Sequence, residues 1–170
     1  MRHRPRAARV PARLLLDPGH WLALGAGSGL SPWAPGTCGS AAALLLYWPL
    51  ANSGPLPILG MACALFALGV PLCGRTARVL GEHDHGAIVL DEVVGMLLTV
   101  SFCSSGVVGV VVGFCAFRFF DIVKPWPVRW ADGRVQGGLG IMLDDLLAGL
   151  YGLIVVEIFE YISFGYKLFE

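Results

Sequence analysis

Charge is the scarcest resource in this chain: of 170 residues only 14% are charged, while 56% are hydrophobic. A water-soluble domain carries about 25% charged residues. That deficit, with a mean hydropathy of +0.70, points to lipid as the solvent. No basic face runs through the body of the chain. Arg2, Arg4, Arg6, Arg9 and Arg13 crowd the N-terminus instead, and this distribution argues against a nucleic-acid partner. No C-x-x-C pair occurs among Cys38, Cys63, Cys73, Cys103 and Cys115, which read as small buried hydrophobes. No signal peptide is expected, because Leu14-Leu15-Leu16 is too short an apolar run before Asp17-Pro18-Gly19. The common catalytic signatures are missing too. Gly25-Ala26-Gly27-Ser28-Gly29 is followed by no Gly-Lys-Ser/Thr, and neither H-E-x-x-H, G-x-S-x-G nor the Cys-to-Arg spacing of cysteine phosphatases is present. A covalent nucleophile is therefore not indicated, and metal-activated water fits better.

What is present is a series of apolar runs: Ser40 to Ala51, Leu56 to Leu72, Ile88 to Cys103, Gly106 to Phe120 and Ile141 to Phe164. Strands are excluded, since open sheet edges cannot face lipid. The expected fold is all-α, a polytopic helical membrane bundle of about five hydrophobic helices with a loop-rich cytoplasmic face. Only the last run reaches the roughly 20 residues of a straight span outright. Residues 1–18 are expected to form a basic tail, either a disordered, solvated arm or a contact with anionic lipid worth about 1 kcal/mol per Arg. Residues 19–170 are expected to form a single domain. Arg75 and Arg78 fall in one loop, and Lys124, Arg129 and Arg134 in another; Asn52–Pro55 and Ser104-Ser105 carry no charge. Helix parity puts the charged loops on the side of the basic tail, which the positive-inside rule makes cytoplasmic.

The carboxylates then gather at that same edge. Asp84 precedes the third helix, Asp91 and Glu92 lie in its first turn, Asp121 ends the fourth, and Asp144 and Asp145 open the fifth. Like charges this close repel unless a cation compensates them. Hard oxygen ligands suit Mg²⁺, which takes carboxylates, waters and a phosphate. The candidate metal ligands are Asp91, Glu92, Asp121, Asp144 and Asp145. Arg118, Lys124, and Arg129 or Arg75 are candidate phosphate ligands, since Arg and Lys beside a metal suit a phosphate. Helix-dipole complementation and a structural Arg118–Asp121 pair are the alternative readings of single members. Gly95 and Gly149, about one turn after the acidic pairs, allow another helix or a substrate to come close. His83 and His85 suit either acid–base work or loop capping, and Ser28, Thr37 and Ser40 suit either site contacts or helix punctuation. Glu157 and Glu160 lie at least 12 residues past Asp145, about 18 Å or more at about 1.5 Å each, and are excluded from the cluster.

Four segments, in order, resemble the phosphatidylglycerophosphatase A family. They are Gly27-Ser28-Gly29-Leu30-Ser31-Pro32 with Pro35-Gly36-Thr37-Cys38-Gly39-Ser40; His83-Asp84-His85-Gly86 through Asp91-Glu92 to Gly95-Met96; Phe117-Arg118-Phe119-Phe120-Asp121 through Lys124-Pro125-Trp126-Pro127; and Gly137-Gly138-Leu139-Gly140 through Asp144-Asp145 to Ala148-Gly149. The resemblance covers Pro18 to Gly152. It implies a Mg²⁺-dependent bacterial lipid phosphatase that converts phosphatidylglycerophosphate to phosphatidylglycerol at the inner membrane, with membrane lipids as its surroundings. Asp84, Glu92, Asp121 and Asp145 are the expected catalytic residues, with Asp84 or a neighbouring His handling protons. Two rivals are a lipid phosphotransferase, whose D-G…A-R pattern is absent, and a cation transporter, which would place acids at the bilayer midplane.

Overall fold

A computed structural model describes residues 10–83, 85–104 and 106–164, with the side chain of residue 164 excepted. Every regular element among them is helical. The chain enters through a 3₁₀ turn, Ala12–Leu16, which buries Leu14. Helix α1 follows, Pro18–Ala23, with Pro at its first position and Asp17 as its cap. The Asp17 carboxylate accepts from the backbone N–H of Gly19 at 2.8 Å and of His20 at 3.3 Å. It also accepts from Arg75 Nη2 at 2.8 Å, so the last residues of the expected basic arm are tied to the bundle.

The five apolar runs are five helices. They are α2, Pro35–Tyr47; α3, Pro55–Leu80; α4, Leu90–Thr99; α5, Gly106–Val123; and, after the short α6 (Val128–Arg134), α7, Gly137–Phe164. Three are long and apolar enough to cross a bilayer: Pro55–Leu80, Gly106–Val123 and Gly137–Ser163. Their outer faces carry exposed side chains such as Leu56, Leu68, Val108, Val111, Phe119 and Ile122, an apolar surface suited to lipid. Helix α3 is longer than its apolar run because it continues through Pro71 and the polar turn at Arg75 and Arg78, stopping at left-handed Gly81. Among the cysteines only Cys73 is buried; Cys63 and Cys115 are exposed on α3 and α5, which corrects the expectation that all five are interior.

Helices α2 and α4 are too short to span. Helix α4 is buried along nearly its whole length, a plug held by longer neighbours, and α7 is the central strut that packs on α3, α4, α5 and α6. The α4–α7 crossing is close enough to exclude side chains. A Cβ on Gly149 would stand 2.5 Å from the carbonyl oxygen of Gly95, and one on Gly95 2.6 Å from that of Asp145. Thr99 Oγ1 sits across the crossing and donates to the Gly95 carbonyl at 2.9 Å and within 3.2 Å of the Gly149 carbonyl. At the far end of the bundle Glu160 accepts from the N–H and Oγ of Ser104 at 2.9 and 2.7 Å, away from the acids of α4.

Because the backbone of Gly95, not a flexible side chain, meets a Cβ added at Gly149, Gly149→Ala is expected to lower stability by about 1–3 kcal/mol. Thermal unfolding in detergent measures it; an unchanged midpoint would show that the crossing is slack.

Candidate active site

Three buried carboxylates converge. Asp91 and Glu92 occupy the first turn of α4. Asp145 comes from α7, and one oxygen from each of the three lies within 4.8 Å of the others. Asp121, at the end of α5, sits against Asp145 and pairs with Arg118 Nη1 at 2.7 Å. Asp144 pairs with Lys124 Nζ at 2.5 Å. A cavity of about 10 Å³ is lined by all five acids together with Lys124, Gly86 and Ile88, room for one water molecule or one ion.

The local structure explains why these side chains meet. Asp91 lies four residues before Gly95, and Asp145 four before Gly149, so on each helix acid and glycine share one face. Where the glycines touch, the acids one turn earlier are brought together. Helix α7 begins at Gly137 rather than at Ile141. Asp144 and Asp145 are therefore two turns inside it and do not open it, and the helix dipole, which acts within the first turn, does not account for them. Asp91 and Glu92 are in a first turn, but they share it with each other.

Lys124 is the hinge of the site. It closes α5 by donating its N–H to the Phe120 carbonyl at 2.8 Å, in a left-handed conformation with φ of 48°. Its Nζ is shared between Asp144 and Asp132, the latter at 2.6 Å. Burial alone depresses a lysine, but Asp144 and Asp132 outweigh it and raise the Lys124 pKa, so the ammonium is fully charged. Arg118 is held the same way, between Asp121 and Ser40, whose Oγ lies 3.4 Å from Nη1.

The other expected residues fall into place around this core. Ser40 reaches Arg118 and also donates to the Gly36 carbonyl at 2.9 Å. Ser28 bonds the carbonyl of Gly25 at 2.8 Å, in a loop whose Gly29 packs on the Ala87 carbonyl. It punctuates that loop, and neither Ser28 nor half-buried Thr37 lines the acidic cavity. His83 Nε2 accepts from the Gly137 N–H at 2.8 Å and His85 Nδ1 from the Ala87 N–H at 3.2 Å, so both cap backbone. Arg75 is engaged by Asp17 and lines neither this cavity nor its neighbour, because the Asp17 cap at the start of α1 holds it there. Arg129 lines the neighbouring cavity. Asp84 lies outside the described residues. Two participants are not evident from the sequence. Asp132 shares Lys124, and only its eight-residue spacing across a Pro-rich turn hints at that. Gly36 lets the start of α2 press on the site, where a Cβ would collide with Glu92 Oε1 and stand 3.1 Å from Arg118 Nη1.

Burial, and behind it the carboxylates of Glu92 and Asp145, raises the pKa of Asp91 well above the ordinary carboxylate range. An acid whose folded pKa exceeds its unfolded value holds its proton more tightly in the folded chain, so its contribution is favourable at low pH and is lost as pH rises above about 4. Metal-free protein is expected to lose thermal stability as pH climbs above the ordinary carboxylate range of about 4, and Asp91→Asn to flatten the dependence. Melting temperatures that climb with pH in the wild type would contradict this.

Comparison with known proteins gives the arrangement a family. The family model for phosphatidylglycerophosphatase A matches residues 21–160. The chain is 46% identical over 136 residues to phosphatidylglycerophosphatase A of Escherichia coli (strain K12), covering 79% of this chain and 78% of that protein. It is 44% identical over 149 residues to phosphatidylglycerophosphatase A of Haemophilus influenzae, covering 86% and 91%. A Bacteroides thetaiotaomicron relative, whose name proposes a phosphatidylinositol-3-phosphatase, is 36% identical over 146 residues, 81% of this chain and 91% of that protein. No solved structure matches the chain at a significant level. The matched span contains every acid of the cavity together with Lys124 and Arg118, and the chain belongs to the phosphatidylglycerophosphatase A family.

Proposed function

We propose that this protein hydrolyses the terminal phosphate of phosphatidylglycerophosphate in a Mg²⁺-dependent reaction, giving phosphatidylglycerol and inorganic phosphate, on the cytoplasmic side of a bacterial inner membrane. The observation that carries the reading is the convergence of Asp91, Glu92 and Asp145 in the interior, with Arg118 and Lys124 fixed beside them, in a chain of this family. The donor set fits Mg²⁺, since it is made of hard carboxylate oxygens close enough to share one ion. Asp91 Oδ1 is buried with no hydrogen-bond partner among the described residues. Asp91, Glu92 and Asp145 would hold the ion, with Asp121 and Asp144 at its margin. When bound it supplies Lewis acidity and neutralises phosphoryl charge.

The chain's own residues do the positioning. Asp121 and Asp144 anchor Arg118 beside the cavity and Lys124 in its wall, so both cations meet the phosphate preorganised rather than as solvated, mobile side chains. Arg118 keeps a buried donor, Nε, with no partner among the described residues, which suits an oxygen of the phosphate. The N-terminal end of α2, brought against Glu92 by Gly36, adds its positive dipole end to the same wall. Water bonds to phosphorus as the bond from phosphorus to the glycerol oxygen breaks, and that oxygen leaves as an alcohol once it has taken a proton. The orientation rests on Arg75, Arg78, Lys124, Arg129 and Arg134 lying towards the acidic end, which the positive-inside rule assigns to the cytoplasm.

Purified protein is expected to release phosphate from phosphatidylglycerophosphate with Mg²⁺ and to stop when a chelator is added. Second-shell changes at metal sites cost about 10–100-fold, so Glu92→Gln and Asp145→Asn, which alter ligands, are expected to lower kcat by about 100-fold or more. Phosphatidic acid and phosphatidylinositol 3-phosphate, assayed in parallel, define the head group. Full activity in chelator, or in both folded variants, would sink the proposal.

A further inference from the structure

Lys124 belongs to two cavities. One is the small acidic cavity described above. The other is far larger, about 440 Å³, and its wall carries Lys124, Arg129, Arg134, Trp126 and Trp130. No acidic residue lines it. Arg129 and Arg134 are exposed, and neither takes part in an ion pair among the described residues. Both therefore present unneutralised guanidinium forks, the geometry that grips a phosphate through paired hydrogen bonds. The two indoles give the same wall an amphipathic character suited to the level of lipid head groups. Trp126 is 79% exposed and Trp130 49%, so their faces are open to a ligand.

We infer that this larger cavity seats a second, non-reacting phosphate: the phosphodiester that joins the head group to its diacylglycerol. The inference rests on the reading of the acidic cavity as the seat of the monoester. A lipid with two phosphates separated by a glycerol unit then lies across Lys124, its monoester on the acidic side and its diester between Arg129 and Arg134. Phosphatidic acid, whose single phosphate is joined directly to diacylglycerol, cannot fill both seats. The larger cavity is thus a specificity device. Binding energy gathered at the remote phosphate positions the reacting one, and no bond is made or broken there.

The test uses full-length protein in detergent with short-chain phosphatidylglycerophosphate. Arg129→Gln and Arg134→Gln sit at exposed positions, and their melting temperatures serve as the check on folding. Each is expected to raise KM about tenfold, the scale of one charged hydrogen bond, with kcat within about twofold. Short-chain phosphatidylglycerol, which carries only the diester, is expected to inhibit the variants about tenfold less well. Inorganic phosphate, a probe of the monoester seat, is expected to inhibit wild type and variants equally. Unchanged KM in the double variant overturns the inference. So does a matching loss of inhibition by inorganic phosphate, which would put both arginines on the reacting group. A wild type that releases no phosphate from this lipid overturns the parent reading as well, and is distinguished by its failure before any variant is made.

Discussion

Like charges held together in a protein interior set the terms for everything around them. Two unit charges 4.8 Å apart repel by roughly 3 kcal/mol at an effective dielectric of about 20. Three such pairs, among Asp91, Glu92 and Asp145, would cost on the order of 10 kcal/mol, as much as the whole stability of a typical domain. The ionised cluster therefore demands compensation. Some is built in: Arg118 pairs with Asp121, and Lys124 with Asp144 and Asp132. Shared protons or a cation from outside supply further compensation for the three that converge. A fold that gathers five acids around one small cavity, three of them within reach of a single ion, is arranged to favour a charged guest.

That arrangement depends on helix contact rather than on loops. Helices α4 and α7 can converge at their acids because Gly95 and Gly149 let the backbones touch one turn away. With alanine at either place the axes would separate by the width of a methyl group, and the carboxylates with them. The bundle's small residues are thus part of the electrostatics. Gly36 extends the same logic to α2, and Gly138, whose Cα lies so close to the Val70 carbonyl that no Cβ fits, extends it to the packing of α7 on α3.

Much of this was legible in the sequence because its signals are chemical rather than conformational. The five apolar runs became α2 to α5 and α7. The acids of three helices do line one cavity, and Glu160 does lie at the opposite end, because helical rise alone separates them. The glycines one turn past each acidic pair read as sites of close approach, and they approach each other. What was not legible involves partners distant in sequence or backbone with a double meaning. Gly137-Gly138-Leu139-Gly140 looks like a loop, yet it is the first turn of α7: Gly137 supplies a positive φ where the helix begins, and Gly138 and Gly140 are required by packing against backbone. Asp17 looks like a chain break, but it caps α1 and engages Arg75. Helix α4 stops at Thr99, short of its apolar run, because Thr99 bonds across to α7 and the chain turns there.

Lys124 shows how a single residue can join these levels. Left-handed backbone at a residue with a side chain costs of order 1–3 kcal/mol, and a helix ending in Pro-Trp-Pro needs no such residue merely to stop. The conformation is kept because the ammonium that it directs inward meets Asp144 and Asp132 at once. Relaxing Lys124 to a helical conformation would redirect the side chain, break its ion pairs with Asp144 and Asp132, and move the wall common to both cavities. The strain, the ion pairs and the shared wall are one feature, so the position tolerates substitution only to the extent that a side chain can supply a positive charge from that same backbone direction.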